Sequence, residues 1–408
     1  MGQERLAAIL RESLADLERQ GRRKGAEKVI TGLIPPSDGK GPRCRLAGYG
    51  DRQFLRLNSN SYLGLSLHPR VIAAEEEAAR AFGTGPGAVR FISGTYAPHV
   101  RLEAQLAAFH GRPAAMLYSA AYAAVMGVIP PLVNEATMVV SDALNHNSII
   151  NALRLAKPAG KLIYRHLDLA DLEARIRQCA GRCRRLLVIS DGIFSMRGDH
   201  APLAAISDLC HRFQGEFAEG IVTIIDDSHG VGACGAGGRG VEEITGARAD
   251  LLIATLGKGL GVNGGYVVAA APVIDYLRET SPFYIYSNPI TPSEAAAAGA
   301  ALAVLDSPEG RQLLARLHHL AGRFRQELSR AGFEVLAGDH PIVPLMVRDT
   351  ARTAALVEYL FTHDILVTGL NYPVVPRGDE EIRFQIAAGH TEEDLGYVLG
   401  VLDEFSGR

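Results

Sequence analysis

Lys258 is the residue of this chain whose surroundings point most clearly to chemistry. Glycines flank it on both sides, and three more follow within seven residues. A phosphate-binding P-loop would require Gly at position 252 and Ser or Thr at position 259, whereas this chain has Leu252 and Gly259. A Schiff-base lysine fits the pattern, because its amine must be free to move and small neighbours leave room for a bulky aldehyde cofactor.

Polar residues follow three short runs that have the composition of buried strands. The runs at 186–189, 221–225 and 251–254 end at Ser190, at Asp226 to His229, and at Thr255 to Lys258. In an open parallel sheet the ligand crevice lies beyond the carboxyl ends of the strands. The sequence therefore predicts that Asp226, His229 and Lys258 meet at one edge of a sheet.

Asp226 suits a pyridoxal cofactor, because a carboxylate beside the pyridine nitrogen keeps that nitrogen protonated and the ring electron-withdrawing. The alternative is a metal site with Asp226 and His229 as ligands. A metal ion needs further ligands, and the sequence offers no third one nearby. We therefore predict no metal.

The elements that must position these residues alternate between helix and strand. Helical patterns occur at 71–82, 119–129, 168–179 and 202–213, and a short strand is expected at 138–140. Continuously apolar strands between helices indicate an α/β fold with a mostly parallel sheet covered on both faces. Upstream, residues 1–30 predict an amphipathic helix and residues 31–52 an irregular, proline-containing segment.

A second alternation follows Pro292 and predicts a smaller α+β domain. A helix at 293–305 is expected to pass between the domains. The further elements expected are helices at 309–331, 351–362 and 391–405 and strands at 343–348, 365–369 and 381–386. We therefore predict an N-terminal helix and arm (1–60), a large cofactor-binding domain (61–300) and a small C-terminal domain (301–408).

The composition excludes several classes of protein. Lys and Arg number 42 against 45 Asp and Glu, and the net charge of −3 lacks the basic excess of nucleic-acid binders. No run of about 18 apolar residues occurs, so no membrane span is expected. The odd number of cysteines, five, disfavours a disulfide framework, and the N-terminus lacks the features of a signal peptide. These features predict a cytoplasmic protein.

Several longer motifs resemble those of the α-oxoamine synthases, which are pyridoxal 5′-phosphate enzymes with the aspartate-aminotransferase fold (fold type I). The motifs are NSYLGLSLHP (60–69), SDALNHNSII (141–150), DGIFSMRGD (191–199), IIDDSHGVGACGAGGRG (224–240), TLGKGLGVNGGY (255–266) and NYPVVPRGDEEIRFQIAAGHT (371–391). The resemblance implies an acyltransferase that condenses an amino acid with an acyl-CoA and acts as a homodimer with shared active sites.

The resemblance also implies roles for individual residues. Lys258 would hold the cofactor and act as acid and base at the substrate's α-carbon, and Asp226 would pair with the pyridine nitrogen. His229 and Ser195 would lie near the phenolic oxygen, and His146 would stack on the ring. The cofactor phosphate would be bound by the backbone of Ala121 and Tyr122, by Thr255 and by Ser287 or Asn288 of a second subunit. The substrate carboxylate would be bound by Arg383 and Asn60.

Details within the family favour glycine and acetyl-CoA as substrates. They are Val89 before Arg90, the string SDALNH and the string YPVVP. The product would be an α-amino-β-keto acid or its decarboxylated aminoketone. Other pairs remain open, namely alanine with a pimeloyl thioester, glycine with succinyl-CoA, and serine with a long acyl-CoA. A simple aminotransferase or decarboxylase of the same fold also remains open.

The phosphate-binding region departs from the usual family pattern. There the family usually has Gly or Cys followed by Phe, with an Asn shortly after, whereas this chain has Ala121, Tyr122 and Val125. Backbone amides can still bind a phosphate whatever the side chain. The departure therefore leaves the cofactor prediction unchanged and bears on substrate choice.

Overall fold

The structure is a computed structural model that describes residues 2–20, 22–23, 25–372 and 374–407. Pro373, which belongs to one of the family motifs, lies outside the described residues. The N-terminal elements are α1 (Gly2–Arg19), β1 (Ile30–Ile34), β2 (Arg43–Leu46) and β3 (Phe54–Arg56).

The predicted helix at 1–30 is wrong beyond Arg19. Gly25 has a φ of 75°, in the left-handed region that a right-handed helix does not pass through. The predicted irregular segment at 31–52 is also wrong in part, because β1 pairs antiparallel with β2. Strands this short owe their stability to pairing with neighbours, which local sequence does not reveal.

A large sheet forms the centre of the molecule. Its strands are β4 (Ala114–Tyr118), β5 (Thr137–Asp142), β6 (Gly160–Tyr164), β7 (Arg185–Asp191), β8 (Ile221–Asp226), β9 (Leu251–Thr255) and β10 (Gly265–Ala269), in the spatial order β4-β10-β9-β8-β7-β5-β6. All neighbours from β9 to β6 are parallel, and β10 runs antiparallel to both β4 and β9. The predicted mostly parallel sheet is confirmed. The sequence patterns do not single out β4, β6 and β10.

Helices cover both faces of this sheet. They are α2 (Pro69–Phe82), α3 (Ala97–Phe109), α4 (Ala121–Val128), α5 (Asn147–Ala156), α6 (Leu169–Cys179), α7 (Leu203–Phe213), α8 (Val241–Thr245), α9 (Ala271–Thr280), α10 (Pro282–Ile285) and α11 (Pro292–Leu305). Alternate residues of β9 enter different cores: Leu252 and Ala254 pack on one face, Leu251 and Ile253 on the other. This double burial explains the unbroken apolar runs in the sequence.

The C-terminal part forms a smaller α+β layer. Its elements are α12 (Pro308–Arg330), β11 (Ile342–Met346), α13 (Thr350–Thr362), β12 (Ile365–Leu366), β13 (Thr368–Leu370), β14 (Glu381–Gln385) and α14 (Glu392–Ser406). Strands β11, β14 and β13 pair antiparallel in that order. The strand predicted at 365–369 is in fact two strands in different sheets, because β12 pairs with β3. The domain boundaries at 60 and 300 stay a prediction.

The sheet register sets the geometry of the site. Asp191 at the end of β7 lies beside Asp226 at the end of β8, which lies beside Ile253 in β9. Lys258 follows β9 after a short turn in which the N–H of Gly257 donates to Thr255 Oγ1. The carboxyl ends of these parallel strands therefore bring acid and amine to one edge, as the sequence predicts.

Candidate active site

A cavity of about 370 Å³ lies at this edge of the sheet. The residues that line it are Ala121, Tyr122, His146, Ser148, Asp191, Ile193, Ser195, Asp226, Ser228, His229 and Lys258. Most of the predicted cofactor-binding residues are thus brought together around one cavity.

The Lys258 amine is largely enclosed at the base of this cavity. Burial lowers the pKa of Lys258 to about 8, against the opposing attraction of Asp226 and Asp191. A lysine with a pKa near 8 is about one-tenth neutral at pH 7, far more than an ordinary lysine, and only the neutral amine is a nucleophile. The amine is therefore suited to attack an aldehyde.

Two carboxylates face the amine, and the sequence predicted only one of them. Asp226 accepts hydrogen bonds at Oδ1 from Ser228 N (3.1 Å) and Ser228 Oγ (2.5 Å). Asp191 accepts from the backbone N–H of His146 at Oδ2, and its Oδ1 has no partner among the described residues. Burial and the neighbouring Asp226 charge raise the pKa of Asp191 well above its ordinary value. Asp191 therefore favours its protonated, uncharged form.

His146 begins α5 and faces the cavity. Its Nδ1 contacts Ser148 Oγ (2.8 Å) and accepts from Ser148 N (3.3 Å), which caps the helix. Burial lowers the pKa of His146, with a further lowering from the Lys258 charge and opposition from Asp226. The lowered pKa favours the neutral imidazole at physiological pH.

His229 is held by residues from distant parts of the chain. Its Nδ1 lies 2.8 Å from the hydroxyl of Tyr62, and its backbone oxygen accepts from His340 Nε2 (2.8 Å). Burial lowers the pKa of His229 well below its ordinary value. Burial also raises the pKa of Tyr62, which keeps its proton. Tyr62 is a positioning partner that the sequence motifs contained but did not assign.

The first turn of α4 forms an anion cradle at the cavity wall. Ala121 and Tyr122 are its first residues, and among the described residues no side chain caps this helix end. Unsatisfied N–H groups at a helix N-terminus bind phosphate well. Thr255 is less directly placed than expected: it lies outside the lining defined by the described residues, and its hydroxyl donates to Gly264 O (3.1 Å).

Gly265 of β10 allows α4 to start this close to the sheet. A Cβ at this position would lie 2.4 Å from Ala121 N and 2.5 Å from the Ala120 carbonyl carbon, so the backbone of the cradle would have to move. We expect Gly265→Ala to weaken pyridoxal phosphate binding about tenfold or more, measured by titrating the apoprotein with cofactor. Gly396→Ala in α14, where nothing lies within 4 Å of the new methyl, is the control. Unchanged affinity in both variants would show that the first turn of α4 does not bind the cofactor phosphate.

The predicted carboxylate-binding residues lie beside the cavity and are held by hydrogen bonds. Arg383 Nη1 donates to the backbone oxygen of Ser195 (2.8 Å), and its Nε is buried without a partner among the described residues. Burial lowers the pKa of Arg383. Asn60 Oδ1 accepts from Gln385 Nε2, which leaves the Asn60 amide nitrogen as a donor for a ligand. Only Ser195 of these residues belongs to the lining of the cavity given above.

Three other residues of the sequence motifs lie away from the cavity of this chain. Ser287 and Asn288 sit in the link between α10 and α11 and do not belong to the lining of the cavity. Their contact with the phosphate of a second subunit stays a prediction. His99 is buried, caps α3 through Tyr96 N (3.1 Å) and contacts Ile290 O (2.8 Å). These bonds account for His99 as a structural residue.

An ion cluster next to the site holds the loop that carries Ser195. His166 contacts Asp142 Oδ1 at Nδ1 (2.9 Å) and Asp199 Oδ2 at Nε2 (3.2 Å), so a carboxylate faces each ring nitrogen. Burial alone would lower the pKa of His166, but its bonds to both carboxylates raise that pKa to about 9. Arg197 adds a further bond to Asp199 (3.0 Å).

The raised pKa of His166 predicts how stability changes with pH. The unfolded histidine loses its proton near pH 6.5, whereas the folded one keeps it to about pH 9. The stabilisation is therefore fully present below pH 6.5 and is lost as the pH rises through 9. We expect the unfolding free energy of the wild type to exceed that of His166→Asn at pH 6 and the gap to narrow by pH 9.5. Urea denaturation measures both unfolding free energies. A difference that does not change with pH would show that His166 does not stabilise the fold through its bonds to the two carboxylates.

Comparison with known proteins identifies the family. Residues 52–402 match the family Aminotransferase class I and II. The chain belongs to this family. Its relatives include the mitochondrial 2-amino-3-ketobutyrate coenzyme A ligase of Homo sapiens, 39% identical over 96% of this chain and 90% of that protein. The 8-amino-7-oxononanoate synthase of Geobacter metallireducens is 37% identical over 96% of both chains.

Solved structures of similar fold agree with this class I and II assignment. A serine palmitoyltransferase of Sphingomonas wittichii has a TM-score of 0.87 and 27% identity over 98% of this chain and 96% of that chain. The S. paucimobilis enzyme, solved with bound pyridoxal phosphate and myriocin, has the same score and identity over the same shares. The predicted α-oxoamine synthase resemblance, the fold type and the cofactor are confirmed.

The described residues fit pyridoxal phosphate. They offer an amine of lowered pKa, a carboxylate whose hydrogen bonds engage only one oxygen, and an uncapped helix start for the phosphate. None of the helices in the described stretches is long and apolar enough to cross a membrane. Within the same stretches, no group of three or more His, Cys, Asp or Glu could hold a metal ion.

Proposed function

We propose that this protein is a pyridoxal-phosphate acyltransferase that condenses glycine with acetyl-CoA. The product is an α-amino-β-keto acid or its decarboxylated aminoketone. The observation that carries the proposal is Lys258, of lowered pKa, facing Asp226 across a cavity whose wall is an uncapped helix start. The 39% identity to a 2-amino-3-ketobutyrate coenzyme A ligase supports this choice of substrates.

When bound, the cofactor supplies an electron-withdrawing ring that makes a proton on the amino acid's α-carbon removable. Asp226 would keep the pyridine nitrogen protonated, and its Oδ2 is available for this because Ser228 donates only to Oδ1. His146 would pack against the ring, and His229, held by the Tyr62 hydroxyl, would lie near the phenolic oxygen. The uncapped N–H groups at the start of α4 would bind the phosphate.

Lys258 moves the proton. Its Nζ, with a pKa of about 8, can accept a proton from the α-carbon near neutral pH and return it later. The α-carbon then bonds to the acyl carbon of the thioester, and the CoA thiolate leaves and takes up a proton. The raised pKa of Asp191 limits the negative charge near the amine, because its protonated carboxyl group is neutral.

Arg383 and Asn60 hold the carboxylate of the amino acid. The planar guanidinium can donate two parallel hydrogen bonds, and Asn60 adds its amide nitrogen. We expect Arg383→Lys to raise KM for the amino acid about 10- to 100-fold, because a point charge replaces the two-pronged donor. Steady-state kinetics with varied amino acid and fixed acyl-CoA measures this. A change in KM for the acyl-CoA alone would count against the assignment.

The test of the proposed function is a panel of amino acids crossed with acyl-CoAs, scored by release of free thiol. Glycine with acetyl-CoA should give the highest kcat/KM. The main competitor is alanine with a pimeloyl thioester, which the 37% identity to an 8-amino-7-oxononanoate synthase supports. A 2-oxo acid product without thiol release would identify a transaminase instead.

The working enzyme is proposed to be a homodimer in which Ser287 or Asn288 of one subunit reaches the phosphate of the other. Large apolar side chains that a partner could cover are exposed: Tyr286, next to Ser287, at 80% and, before α3, Phe91 at 66% and Ile92 at 68%. An active monomer in gel filtration would contradict this. A cytoplasmic location stays a prediction, and the human relative is described as mitochondrial.

A further inference from the structure

The mouth of the cavity carries a hydrogen-bonded cluster that the proposed reaction does not use. The Tyr122 hydroxyl donates to Asn147 Oδ1 (3.0 Å) and accepts from Asn151 Nδ2 (2.6 Å). Asn151 Nδ2 also donates to Asn147 Oδ1 (2.8 Å), and Arg154 Nη1 donates to Asn151 Oδ1 (3.0 Å). The hydroxyl thus has both a donor and an acceptor partner.

These bonds join two helices that begin at the same cavity. Tyr122 is the second residue of α4, and its own N–H is one of the uncapped groups of the anion cradle. Asn147 is the first residue of α5 and follows His146, the residue that caps that helix. The Tyr122 ring also meets the His146 ring edge-on, with centroids 6.4 Å apart and an interplanar angle of 78°.

The link depends on residues three and four apart on one helix face. Asn147, Asn151 and Arg154 follow each other along the exposed face of α5, so the helix presents them as one row. α4 has only eight residues, Ala121–Val128. The first turn of so short a helix is held more firmly by hydrogen bonds to a neighbouring helix, because its first N–H groups have no partners within the helix itself.

Tyr122 departs from the family pattern given under Sequence analysis. The α-oxoamine synthases usually have Phe at this position, and Phe cannot make either bond. The hydrogen bonds of the Tyr122 hydroxyl therefore depend on this departure.

We propose that Tyr122 is a positioning residue whose hydroxyl holds the first turn of α4 against α5, so that the N–H groups of residues 121 and 122 face the cofactor phosphate. This inference rests on the proposed cofactor. Tyr122 acts through the backbone of α4, and its side chain need not touch the phosphate. Its effect should consequently be specific to ligands that carry a phosphate.

The test compares pyridoxal phosphate with pyridoxal, which lacks the phosphate, as ligands of the apoprotein. Binding is followed by absorbance for the wild type, Tyr122→Phe and Asn151→Ala. Tyr122→Phe should raise the Kd for pyridoxal phosphate about tenfold and that for pyridoxal less than twofold. Asn151→Ala should raise the Kd for pyridoxal phosphate by a smaller factor. The double variant should weaken binding by less than the two single effects added together in free energy, since both substitutions disrupt the same network.

Tyr276→Phe is the matched control, because the Tyr276 hydroxyl donates to Pro131 O (3.1 Å) on another part of the surface. It should bind both ligands as the wild type does. Equal Kd values for Tyr122→Phe and the wild type would overturn the inference, and so would equal weakening toward both ligands, which marks general destabilisation. A wild type that binds no pyridoxal phosphate would overturn the proposed function itself, and the inference with it.

Discussion

Replacing Lys258 with alanine should lower kcat about a thousandfold or more while the protein stays folded. The amine is asked both to hold the cofactor and to move the α-proton, and acid–base catalysis alone contributes about 10²- to 10⁴-fold. The fold should survive, because burial already disfavours the charged amine and its removal relieves that penalty. Thiol release with saturating glycine and acetyl-CoA, together with a thermal unfolding scan, measures both parts.

Lys161→Ala provides the matched control for this variant. Lys161 lies in β6 at the surface of the same sheet and is exposed. It should retain wild-type turnover. Substantial activity in Lys258→Ala, comparable with Lys161→Ala, would mean that another group carries the chemistry.

Asp226→Asn should lower kcat by about 10²- to 10³-fold with little loss of cofactor. Asn has nearly the same shape, and its side-chain oxygen can still accept from Ser228. Asn carries no charge, however, so it cannot stabilise a protonated pyridine nitrogen as the fixed Asp226 carboxylate would. Kinetics and a cofactor-content assay on the same preparation separate the two effects.

Asp208→Asn on the exposed face of α7 controls for a general loss of negative charge. A second consequence concerns Asp191. Because the Asp226 charge helps to raise the pKa of Asp191, Asp226→Asn should lower that pKa. Turnover within a few-fold of the wild type in Asp226→Asn would show that the ring does not depend on this carboxylate.

The central strands and their polar ends could be predicted because the signal is local. β8 and β9 are buried on both faces, so their sequences are nearly continuous apolar runs, and Asp226 and Lys258 stand where those runs stop. Parallel pairing then brings the ends together. Asp191 stands at the end of β7 in the same way, but without a charged partner in sequence its carboxylate did not stand out from a helix cap or turn residue.

Other parts of the site could not be predicted from local patterns, because they depend on contacts between distant residues. Tyr62 and His229 are 167 residues apart, and Gln385 and Asn60 are 325 apart. Spacing along the chain carries no trace of such pairs. The same holds for β12, a strand of two residues that exists because β3 lies beside it.

In the N-terminal region the sequence pattern predicts more regular structure than the chain has. The spacing of Leu6, Ile9 and Leu10 correctly predicts a helix, but the helix ends at Arg19, and these side chains are exposed. Periodicity indicates that a face is apolar without saying where the helix ends or what covers that face.

The central claim, that Lys258 carries the cofactor at the edge of the sheet, is tested most directly by borohydride reduction of the protein saturated with pyridoxal phosphate. Reduction converts the lysine–cofactor linkage into a stable one, which peptide mass mapping then locates. We predict the reduced label on the peptide that contains Lys258, together with loss of the visible absorbance band. A label on another lysine, or no label at all, would contradict the account.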